Sequence, residues 1–508
     1  MIPVYTGSQV RTAEIPLLQG DGANRLMRLA ADALAHHAVL TLRENPGRLY
    51  GARMVGLIGS GNNGGDGLFA MATLAKRGVK CTAVLLGERA HPAALEAFTR
   101  AGGRTSTVEG LPALLEDCDL LIDAVYGTGV RPGVKLPEIP STIPVIACDL
   151  PSGVDASTGA VPTSVIPADR TVCFGALKTG LTVGSGHLVS GHIHVVDIGL
   201  RATLPNPEAW VAQGDDLEIL LNRSPDWRSL GRHKYQRGVL GLLAGSPKYP
   251  GAAVITARAA TSTGVGMLRT MVPKNIETTL AAIVPESVPL AATEFNALLA
   301  HNRRNGREGA ARIGAWAVGP GLEDTAENRK VLAQILSSEA ACVIDAGALS
   351  MIEPGEHSQL RILTPHAGEL RSLLTTAGVR VSATDITEDP LRWARWAAVA
   401  YDCVILLKGS ATICTSPDGY TLIVHASTPD LATAGSGDAL TGVLGTLLAS
   451  TYFPAEGEKP DRMHRLVDIA AAGSLIHAHA GALAALDGTL GASELIEALP
   501  RAARDLGL

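Results

Sequence analysis

The stretch RMVGLIGSGNNGGDGLFAMATLAKRG, residues 53–78, decides the fold class of the first half of the chain. Its opening apolar run is typical of a buried strand, and the part from about Leu68 has the composition of a helix that packs on that strand. The glycines between them follow the pattern G-x-G-x-x-G, which predicts a tight turn from strand to helix. This order of elements indicates an α/β fold with a parallel sheet.

The same alternation fills the first 200 residues, after an amphipathic helix predicted at 22–44. Further strands are predicted within 80–87, 118–127, 143–153, 170–180 and 192–200. We therefore expect a doubly wound, Rossmann-like sheet. Segment 202–227 contains prolines and mixed polarity, and no strand is predicted in it. The domain boundary is placed there, with a first domain at 1–210.

A second series of apolar runs and helical patterns begins at Gly238 and closes with long alanine-rich helices. Its strands are predicted within 238–246, 266–273, 314–322, 341–349, 361–370, 402–415 and 420–426. No motif of the first half recurs, so the second α/β domain, at 225–508, is not a repeat of the first.

The composition is that of a protein that binds small molecules in a reducing compartment. Hydrophobic residues make up 46% and aromatics only 4%, which suits aliphatic cores between sheet and helices. A net charge of -6 without long charged runs predicts no nucleic acid or membrane partner. The 7 cysteines are scattered and predict neither disulfides nor a zinc site. With no leader and no long apolar run, a soluble cytoplasmic protein is expected.

Polar residues follow three predicted strands of the first half, where ligands of open α/β sheets bind. Residues 62–66 follow the first strand, and Asp123 and Asp149 follow two others. The glycine loop before a helix suits a phosphate, and the carboxylate and amide oxygens suit a hard cation. Asp149 ends an apolar run, so it should form an ion pair or act as an acid or base. Two alternatives remain: a turn without chemistry, and a redox fingerprint with Glu88 on the ribose.

The motifs GSGNNGGDG (59–67), DAVYGTGVRPG (123–133), DLPSGVD (149–155) and FGALKTGL (174–181) together resemble the NAD(P)H-hydrate epimerase domain over residues 1 to about 205. This resemblance implies that the hydrated dinucleotide is held by Asn62, Asn63, Gly64, Gly65, Asp66, Gly127, Thr128, Gly129, Val130, Arg131, Pro132, Gly133 and Asp149. It also implies that Asn63, Asp123 and Ser152 coordinate K⁺, with Asp149 as the acid or base. The dinucleotide is then a damaged substrate, and no hydride is transferred.

The most specific stretch of the second half is TAGSGDALTG, residues 433–442. Gly435, Ser436 and Gly437 would offer backbone N–H groups to a transferring phosphoryl group, and Asp438 could accept a proton from the attacking hydroxyl. The alternative is a helix start with a serine or aspartate cap, which does not require a glycine on each side of the serine.

This stretch resembles the ribokinase-like fold, and LLKGSATI (406–413) is similar to the nucleotide strand and loop of that fold. The segment TPHAGE (364–369) resembles the NAD(P)H-hydrate dehydratase branch, as do HKYQRGVLGLLAGSPKYPGAA (from 233) and VGPGL (from 318). The resemblance implies that Ala252, Gly321, His366 and Asp438 contact the hydrate. Nucleotide contacts are implied for Lys408, Gly409, Ser410, Ala411, Thr412 and Gly437. For His366 an ordinary polar contact is the alternative.

The reaction that the resemblance implies is repair of NADH and NADPH hydrates. The first domain would interconvert the R and S epimers, and the second would phosphorylate the ring hydroxyl of the S form with ADP and Mg²⁺, giving NAD(P)H, AMP and phosphate. A homo-oligomer is also predicted. Two rival hypotheses are a small-molecule kinase with a nucleotide-sensing domain and a nucleotide-binding scaffold without activity.

Overall fold

The computed structural model describes the chain except for residues 45–46, 88, 129–134, 222–232, 298–312, 339, 356–359, 452, 454–458, 487, 489 and 508. The chain divides into two compact units. The N-terminal unit comprises Pro3–Ala209 with Thr387–Asp389, and the C-terminal unit comprises Met1–Ile2, Trp210–Ile386 and Pro390–Leu508. The predicted ribose ligand Glu88 lies outside the described residues.

The N-terminal unit is built on a parallel sheet with strand order β4-β3-β2-β5-β6-β7-β9. Its strands are β2 (Arg53–Ile58), β3 (Lys80–Leu85), β4 (Arg104–Ser106), β5 (Leu120–Ala124), β6 (Val145–Cys148), β7 (Arg170–Phe174) and β9 (His192–Val196). A short parallel pair, β1 (Ile2–Tyr5) and β8 (Leu177–Lys178), lies apart from this sheet. The order reverses between β2 and β5, and this switch point is where an open α/β sheet forms its crevice.

Both faces of this sheet are buried, as the predicted doubly wound fold requires. Along β2, Met54 and Ile58 belong to one apolar core, whereas Val55 and Leu57 belong to the core on the opposite face. The helices of the unit are Gly7–Glu14, Gly22–Glu44, Asn62–Lys76, Pro92–Arg100, Leu111–Leu115 and Gly184–Val189. The alternation of side chains along a strand explains why apolar residues occupy consecutive positions.

The Asn62–Lys76 helix begins six residues earlier than the predicted start near Leu68. Gly61 is its N-cap, so residues 62–66 lie in the first turns of the helix and not in a preceding loop. A side-chain carbon at Gly64 would lie 2.0 Å from the Gly59 carbonyl oxygen, so only glycine permits this close turn. The glycine run therefore serves helix packing as well as ligand access.

The C-terminal unit has a mixed sheet with order β13-β12-β11-β14-β15-β16-β17-β18-β19-β10. Its strands are β10 (Ala209–Val211), β11 (Val239–Leu243), β12 (Met267–Met271), β13 (Ser287–Pro289), β14 (Ala315–Val318), β15 (Ala341–Ile344), β16 (Arg361–Leu363), β17 (Val404–Leu407), β18 (Ala411–Thr415) and β19 (Thr421–His425). Strands β13 to β17 are parallel, and β17, β18 and β19 pair antiparallel.

The expectation that segment 202–227 has no strand was wrong. Strand β10 lies within it and pairs with β19 through Trp210–Leu422 and Val211–Ile423. Three residues are too few to establish a periodicity, so the strand forms because a partner strand is available.

Helices pack against the C-terminal sheet. They are Leu217–Leu221, Pro250–Ser262, Lys274–Ile283, Ala326–Leu336, Ala367–Thr376, Ala383–Glu388, Pro390–Tyr401, Ser436–Ser450, Lys459–Leu486 and Ala492–Asp505. Arg462–Leu486 is long and apolar enough to cross a membrane, but 72% of its most apolar stretch is buried. Its apolar composition is therefore that of a core helix.

Candidate active sites

The segments that follow β2, β5 and β6 meet at a cavity of about 460 Å³ in the N-terminal unit. The cavity lies at the switch point of the sheet, beyond the carboxyl ends of the strands, where the polar residues were predicted to lie. Its lining includes Asn62, Asn63, Asp66, Gly127, Thr128 and Asp149 among the predicted residues. Gly64 and Gly65 are buried in the helix and are not part of the lining. Gly129, Val130, Arg131, Pro132 and Gly133 lie outside the described residues.

Asp123, at the end of β5, is fully buried and hydrogen-bonded to Ser152. Its Oδ1 accepts from Ser152 Oγ at 2.6 Å and from the Val125 N–H at 3.3 Å, and its Oδ2 accepts from the Ser152 N–H at 2.7 Å. Burial raises the pKa of Asp123 to about 6, and these hydrogen bonds limit the rise. Two of the three residues predicted to bind a cation are thus in direct contact.

Asp149, directly after β6, forms an ion pair with Lys178, whose side chain is 1% exposed. Asp149 Oδ1 accepts from Lys178 Nζ and from the Phe174 N–H at 3.1 Å, and Lys178 Nζ also donates to the Phe174 carbonyl at 2.7 Å. Burial alone would lower the pKa of Lys178, but the Asp149 carboxylate raises it above its ordinary value. Asp149 has a left-handed φ of 69°, a conformation that stores strain at functional positions.

The second carboxylate oxygen of Asp149 faces the cavity beside Asn63. A side-chain carbon at Gly127 would lie 3.5 Å from Asp149 Oδ2 and 3.4 Å from Asn63 Oδ1, so the missing side chain leaves room between them. Asn63 Nδ2 is buried and has no hydrogen-bond partner. The site therefore retains free polar atoms for a ligand.

Two further carboxyl groups, those of Glu14 and Asp66, line the same cavity. Burial, followed by the neighbouring Asp149 and Glu14 charges, raises the pKa of Asp66 well above its ordinary value. Burial also raises the pKa of Glu14. The cavity therefore combines two carboxyl groups of raised pKa with a carboxylate fixed by Lys178, which is a suitable set for acid–base chemistry.

The second site lies in the C-terminal unit and is centred on Asp345, which follows β15 and is 1% exposed. Its Oδ1 accepts from Lys408 Nζ at 2.7 Å, and its Oδ2 accepts from Thr441 Oγ1 at 2.8 Å. Lys408 Nζ also lies 3.7 Å from Glu369 Oε2. Burial opposes the charge of Lys408, but Asp345 and Glu369 raise its pKa, so the ammonium remains charged.

The motif 433–442 forms the start of the Ser436–Ser450 helix. Gly435 is its N-cap with a φ of 88°, and a side-chain carbon there would lie 2.7 Å from Ile255 Cδ1. No side chain caps the first turn, which leaves the N–H groups of Gly437 and Asp438 available. A side-chain carbon at Gly437 would lie 3.4 Å from Lys408 Nζ. Free N–H groups and an ammonium therefore converge where an anion can bind.

Asp438 lies in this first turn and is the predicted base. Burial, and secondly the charge of Asp345, raises the pKa of Asp438 to about 7, whereas the charge of Lys408 lowers it. A carboxyl group that titrates near neutral pH is suited to general base catalysis. The structure thus brings together Asp438, Gly437 and Lys408, all of which were predicted.

Ala252 and Gly321 lie where the order of this sheet reverses, after β11 and β14. Gly321 has a φ of 65°, and a side-chain carbon there would lie 2.8 Å from Ala252 Cβ. The two predicted substrate residues are therefore neighbours, and a larger side chain at position 321 would close the space between them.

His366 caps the Ala367–Thr376 helix. Its Nδ1 accepts from the Gly368 N–H at 3.0 Å, and its Nε2 lies 3.6 Å from Glu369 Oε2. The ordinary polar contact considered for this histidine is thus present. Because the side chain is 60% exposed and Nδ1 is the capping acceptor, Nε2 can still contact a ligand.

The nucleotide segment predicted after Lys408 forms the antiparallel turn between β17 and β18. Gly409 and Ser410 are exposed in the turn, and Ala411 and Thr412 begin β18. Lys408 itself directs its ammonium group to Asp345. The segment therefore joins a solvent-exposed turn to the charged cluster.

Sequence reasoning missed Asp345, and it left the role of Lys178 open. Asp345 follows an apolar run, as Asp123 and Asp149 do, so the rule applied to the first half of the chain would have found it. The pairing of Lys178 with Asp149 had no local signal, because 29 residues separate them. His477, whose ring contacts Ser436, was also missed.

Family comparisons agree with this division into two units. The family described as YjeF-related protein N-terminus matches residues 23–180. The family described as NAD(P)H-hydrate dehydratase matches residues 240–501.

Among the described residues, no group of three or more His, Cys, Asp or Glu side chains is arranged to hold a metal.

Curated relatives match nearly the whole chain. The bifunctional NAD(P)H-hydrate repair enzyme Nnr of Mycobacterium leprae is 34% identical over 95% of this chain and 94% of its own. That of Escherichia coli K12 is 32% identical over 88% of this chain and 84% of its own. An ADP/ATP-dependent NAD(P)H-hydrate dehydratase from Bacillus subtilis, co-crystallised with ATP and Mg²⁺, is 26% identical over 57% of this chain and 97% of its own, with a TM-score of 0.47.

Proposed function

Since the chain belongs to the family of bifunctional NAD(P)H-hydrate repair enzymes, we propose that its two sites divide the repair between Asp149 and Asp438. The protein is an NAD(P)H-hydrate epimerase and dehydratase. The residues that perform each reaction, the choice of nucleotide and the bound ions are the parts that we propose. The domain bounds 1–210 and 225–508 are proposed with them.

In the N-terminal unit, Asp149 serves as the acid or base that interconverts the R and S hydrates. Its Oδ1 is held by Lys178 and the Phe174 N–H, which leaves Oδ2 for the substrate. The substrate is held by the lining residues of the cavity, together with the predicted residues 129–133. The carboxyl groups of Asp66 and Glu14, whose pKa values are raised by burial, supply the complementary acid.

K⁺ is the proposed ion of the epimerase unit, held by Asn63, Asp123 and Ser152. The buried carboxylate of Asp123 has no cationic side chain as a partner within the described part of the chain, and it accepts only neutral N–H and O–H donors. These residues fit a cation with oxygen ligands, which would supply the missing counter-charge. Replacing K⁺ by choline in the buffer should slow epimerisation and leave dehydration unchanged.

In the C-terminal unit, Asp438 accepts the proton of the ring hydroxyl as that oxygen attacks the β-phosphoryl group of ADP. The attack breaks the bond from the β-phosphorus to its bridging oxygen and releases AMP. Phosphate and a proton of the adjacent ring carbon then leave the ring, which gives NAD(P)H. The N–H of Gly437 and the ammonium of Lys408 stabilise the transferred phosphoryl group. Ala252, Gly321 and His366 position the hydrate, and residues 408–412 contact the nucleotide.

Mg²⁺ is proposed to arrive with the nucleotide. Mg²⁺ takes most of its ligands from substrate phosphates and water, and only one or two from carboxylates. Because Asp345 is engaged by Lys408 and Thr441 and Asp438 is the proposed base, the nucleotide phosphates would be the main ligands here. When bound, Mg²⁺ would neutralise charge on the phosphates.

The observation that carries this proposal is the convergence of the Gly437 N–H, Lys408 and a carboxyl group that titrates near neutral pH. The test compares Asp438→Asn and Asp149→Asn in the full chain, supplied with both hydrates, Mg²⁺ and ADP or ATP. Asp438→Asn should abolish recovery of reduced-nicotinamide absorbance but leave epimerisation intact. Asp149→Asn should do the reverse.

Controls separate chemistry from folding. Asp149→Asn leaves Lys178 without a counter-charge, so the double variant with Lys178→Met is tested beside it. The exposed Asp505→Asn should retain both activities. If either catalytic substitution silenced both reactions in a folded chain, the division into two sites would be wrong. A stable phosphorylated product would identify a small-molecule kinase instead.

Cytoplasmic location and assembly into a homo-oligomer belong to the same proposal. The free cysteines, six of the seven of them buried, suit a reducing compartment. Sedimentation of the purified chain would determine its subunit number, and cell fractionation would determine its location.

A further inference from the structure

A buried histidine contacts the first residue of the Ser436–Ser450 helix. His477 lies in the Lys459–Leu486 helix and is 9% exposed. Its Nε2 lies 3.0 Å from the Ser436 carbonyl oxygen and 3.2 Å from Ser436 Oγ. No part of the proposed reaction uses this residue.

The contact fixes the position of the ring hydrogen of His477. Burial lowers its pKa to about 4, so the ring is neutral near pH 7. A carbonyl oxygen can only accept a hydrogen bond, so the single ring hydrogen must lie on Nε2. His477 is therefore the donor to Ser436 in this contact.

The Ser436 carbonyl shares one planar peptide group with the Gly437 N–H. A hydrogen bond to the carbonyl polarises that group and strengthens the donor at its other end. Gly437 is one of the two uncapped N–H donors of the first turn, and it lies beside the Lys408 ammonium. The N–H group that His477 polarises therefore lies where the phosphoryl group is proposed to bind.

We infer that His477 is a positioning residue of the dehydratase, which holds and polarises the Ser436–Gly437 peptide so that the Gly437 N–H stabilises the transferring phosphoryl group. The inference rests on the function proposed for this site. Since charge on the phosphoryl oxygens is redistributed in the transition state, the loss of His477 should affect kcat more than KM.

Three substitutions of His477 test whether its hydrogen bond to Ser436 or only the volume of its side chain is required. His477→Ala removes the donor. In His477→Gln the amide nitrogen is separated from Cβ by the same number of bonds as Nε2 of histidine, so its N–H can reach Ser436. In His477→Asn the amide nitrogen is only as far from Cβ as Nδ1 of histidine, so it is too short to reach Ser436. His479→Gln is the matched control, because His479 lies in the same helix but is partly exposed and contacts Asp505 at 3.4 Å.

We expect His477→Ala and His477→Asn to lower the kcat of dehydration about tenfold, a fraction of the effect of deleting an oxyanion-hole donor. The KM values for hydrate and ADP should stay within about twofold, since ground-state binding is not the target. His477→Gln should recover most of kcat, and His479→Gln should match the unaltered chain. Epimerisation by each variant and thermal unfolding check that the chain is folded.

Two outcomes would overturn the role of His477 but leave the proposed function intact. They are an unchanged kcat in His477→Ala, and equal kcat values in the Gln and Asn variants at equal stability. If the unaltered chain did not dehydrate the hydrate at all, the proposed function would fail and this inference with it.

Discussion

The charge state of Asp438 should set the pH range of dehydration. Burial and Asp345 raise its pKa from 3.8 to about 7, and only the deprotonated form can accept the substrate proton. Activity is therefore present above this pKa and lost as the pH falls through it. For a single ionisation, the active fraction rises roughly tenfold between pH 6 and pH 8, whereas an unshifted aspartate would give no change in this range.

Two substitutions should move the midpoint in opposite directions. Asp345→Asn removes the negative charge that raises the pKa of Asp438 and keeps the positive charge of Lys408 that lowers it, so the midpoint should fall. Lys408→Met removes the charge that lowers this pKa, so the midpoint should rise. Asn at position 345 can still accept the hydrogen bond from Thr441, which limits the structural disturbance.

The assay is kcat/KM for the S hydrate at saturating nucleotide from pH 5 to pH 9, because this ratio reports the ionisations of the enzyme before the hydrate binds. Asp505→Asn should leave the midpoint near pH 7. A profile that is flat over this range would refute the assignment of Asp438 as the base. Shifts with the opposite sign in the two variants would refute the electrostatic account of its pKa.

Three further predictions concern the residues that shape the two sites. Lys178→Met should lower the free energy of unfolding by about 3–5 kcal/mol in urea titrations, because it leaves the buried Asp149 carboxylate without its counter-charge. The double variant Lys178→Met with Asp149→Asn has no unpaired charge and should recover much of this stability. Gly64→Ala should abolish epimerisation because its Cβ would lie 2.0 Å from the Gly59 carbonyl, whereas Gly61→Ala, with nothing within 4 Å, should be active. Gly435→Ala should impair dehydration through the clash with Ile255, but Gly419→Ala, with a similar φ and open space, should cost only about 1 kcal/mol in stability.

Local pattern was sufficient to place most strands and many polar residues of the two sites. Apolar runs are visible in the sequence because a strand buried on both faces has no polar positions. Parallel strands end at the same edge of a sheet, so Asp123 and Asp149 were predicted to lie at one edge, and of the two Asp149 lines the cavity. The glycines of residues 433–442 likewise indicated an anion site, and Gly437 lies beside Lys408.

Element boundaries followed tertiary packing and were predicted less well. The Asn62–Lys76 helix begins at Asn62 because Gly64 lets it approach the Gly59 carbonyl. Strand Ala209–Val211 exists because β19 offers a free edge. In both cases the deciding contact is with another segment, and propensity within the segment is a weak guide.

The sequence by itself determined the two α/β units and the chemical types of the groups at their strand ends. Only the tertiary structure decided which groups pair: Asp149 with Lys178 across 29 residues, Asp345 with Lys408 across 63, and Ser436 with His477 across 41. The periodicity of apolar residues indicates which face of a helix or strand is buried, but not which residues of other elements pack against that face. Burial in the folded chain is also what raises the pKa of Asp438 towards neutrality and keeps His477 uncharged.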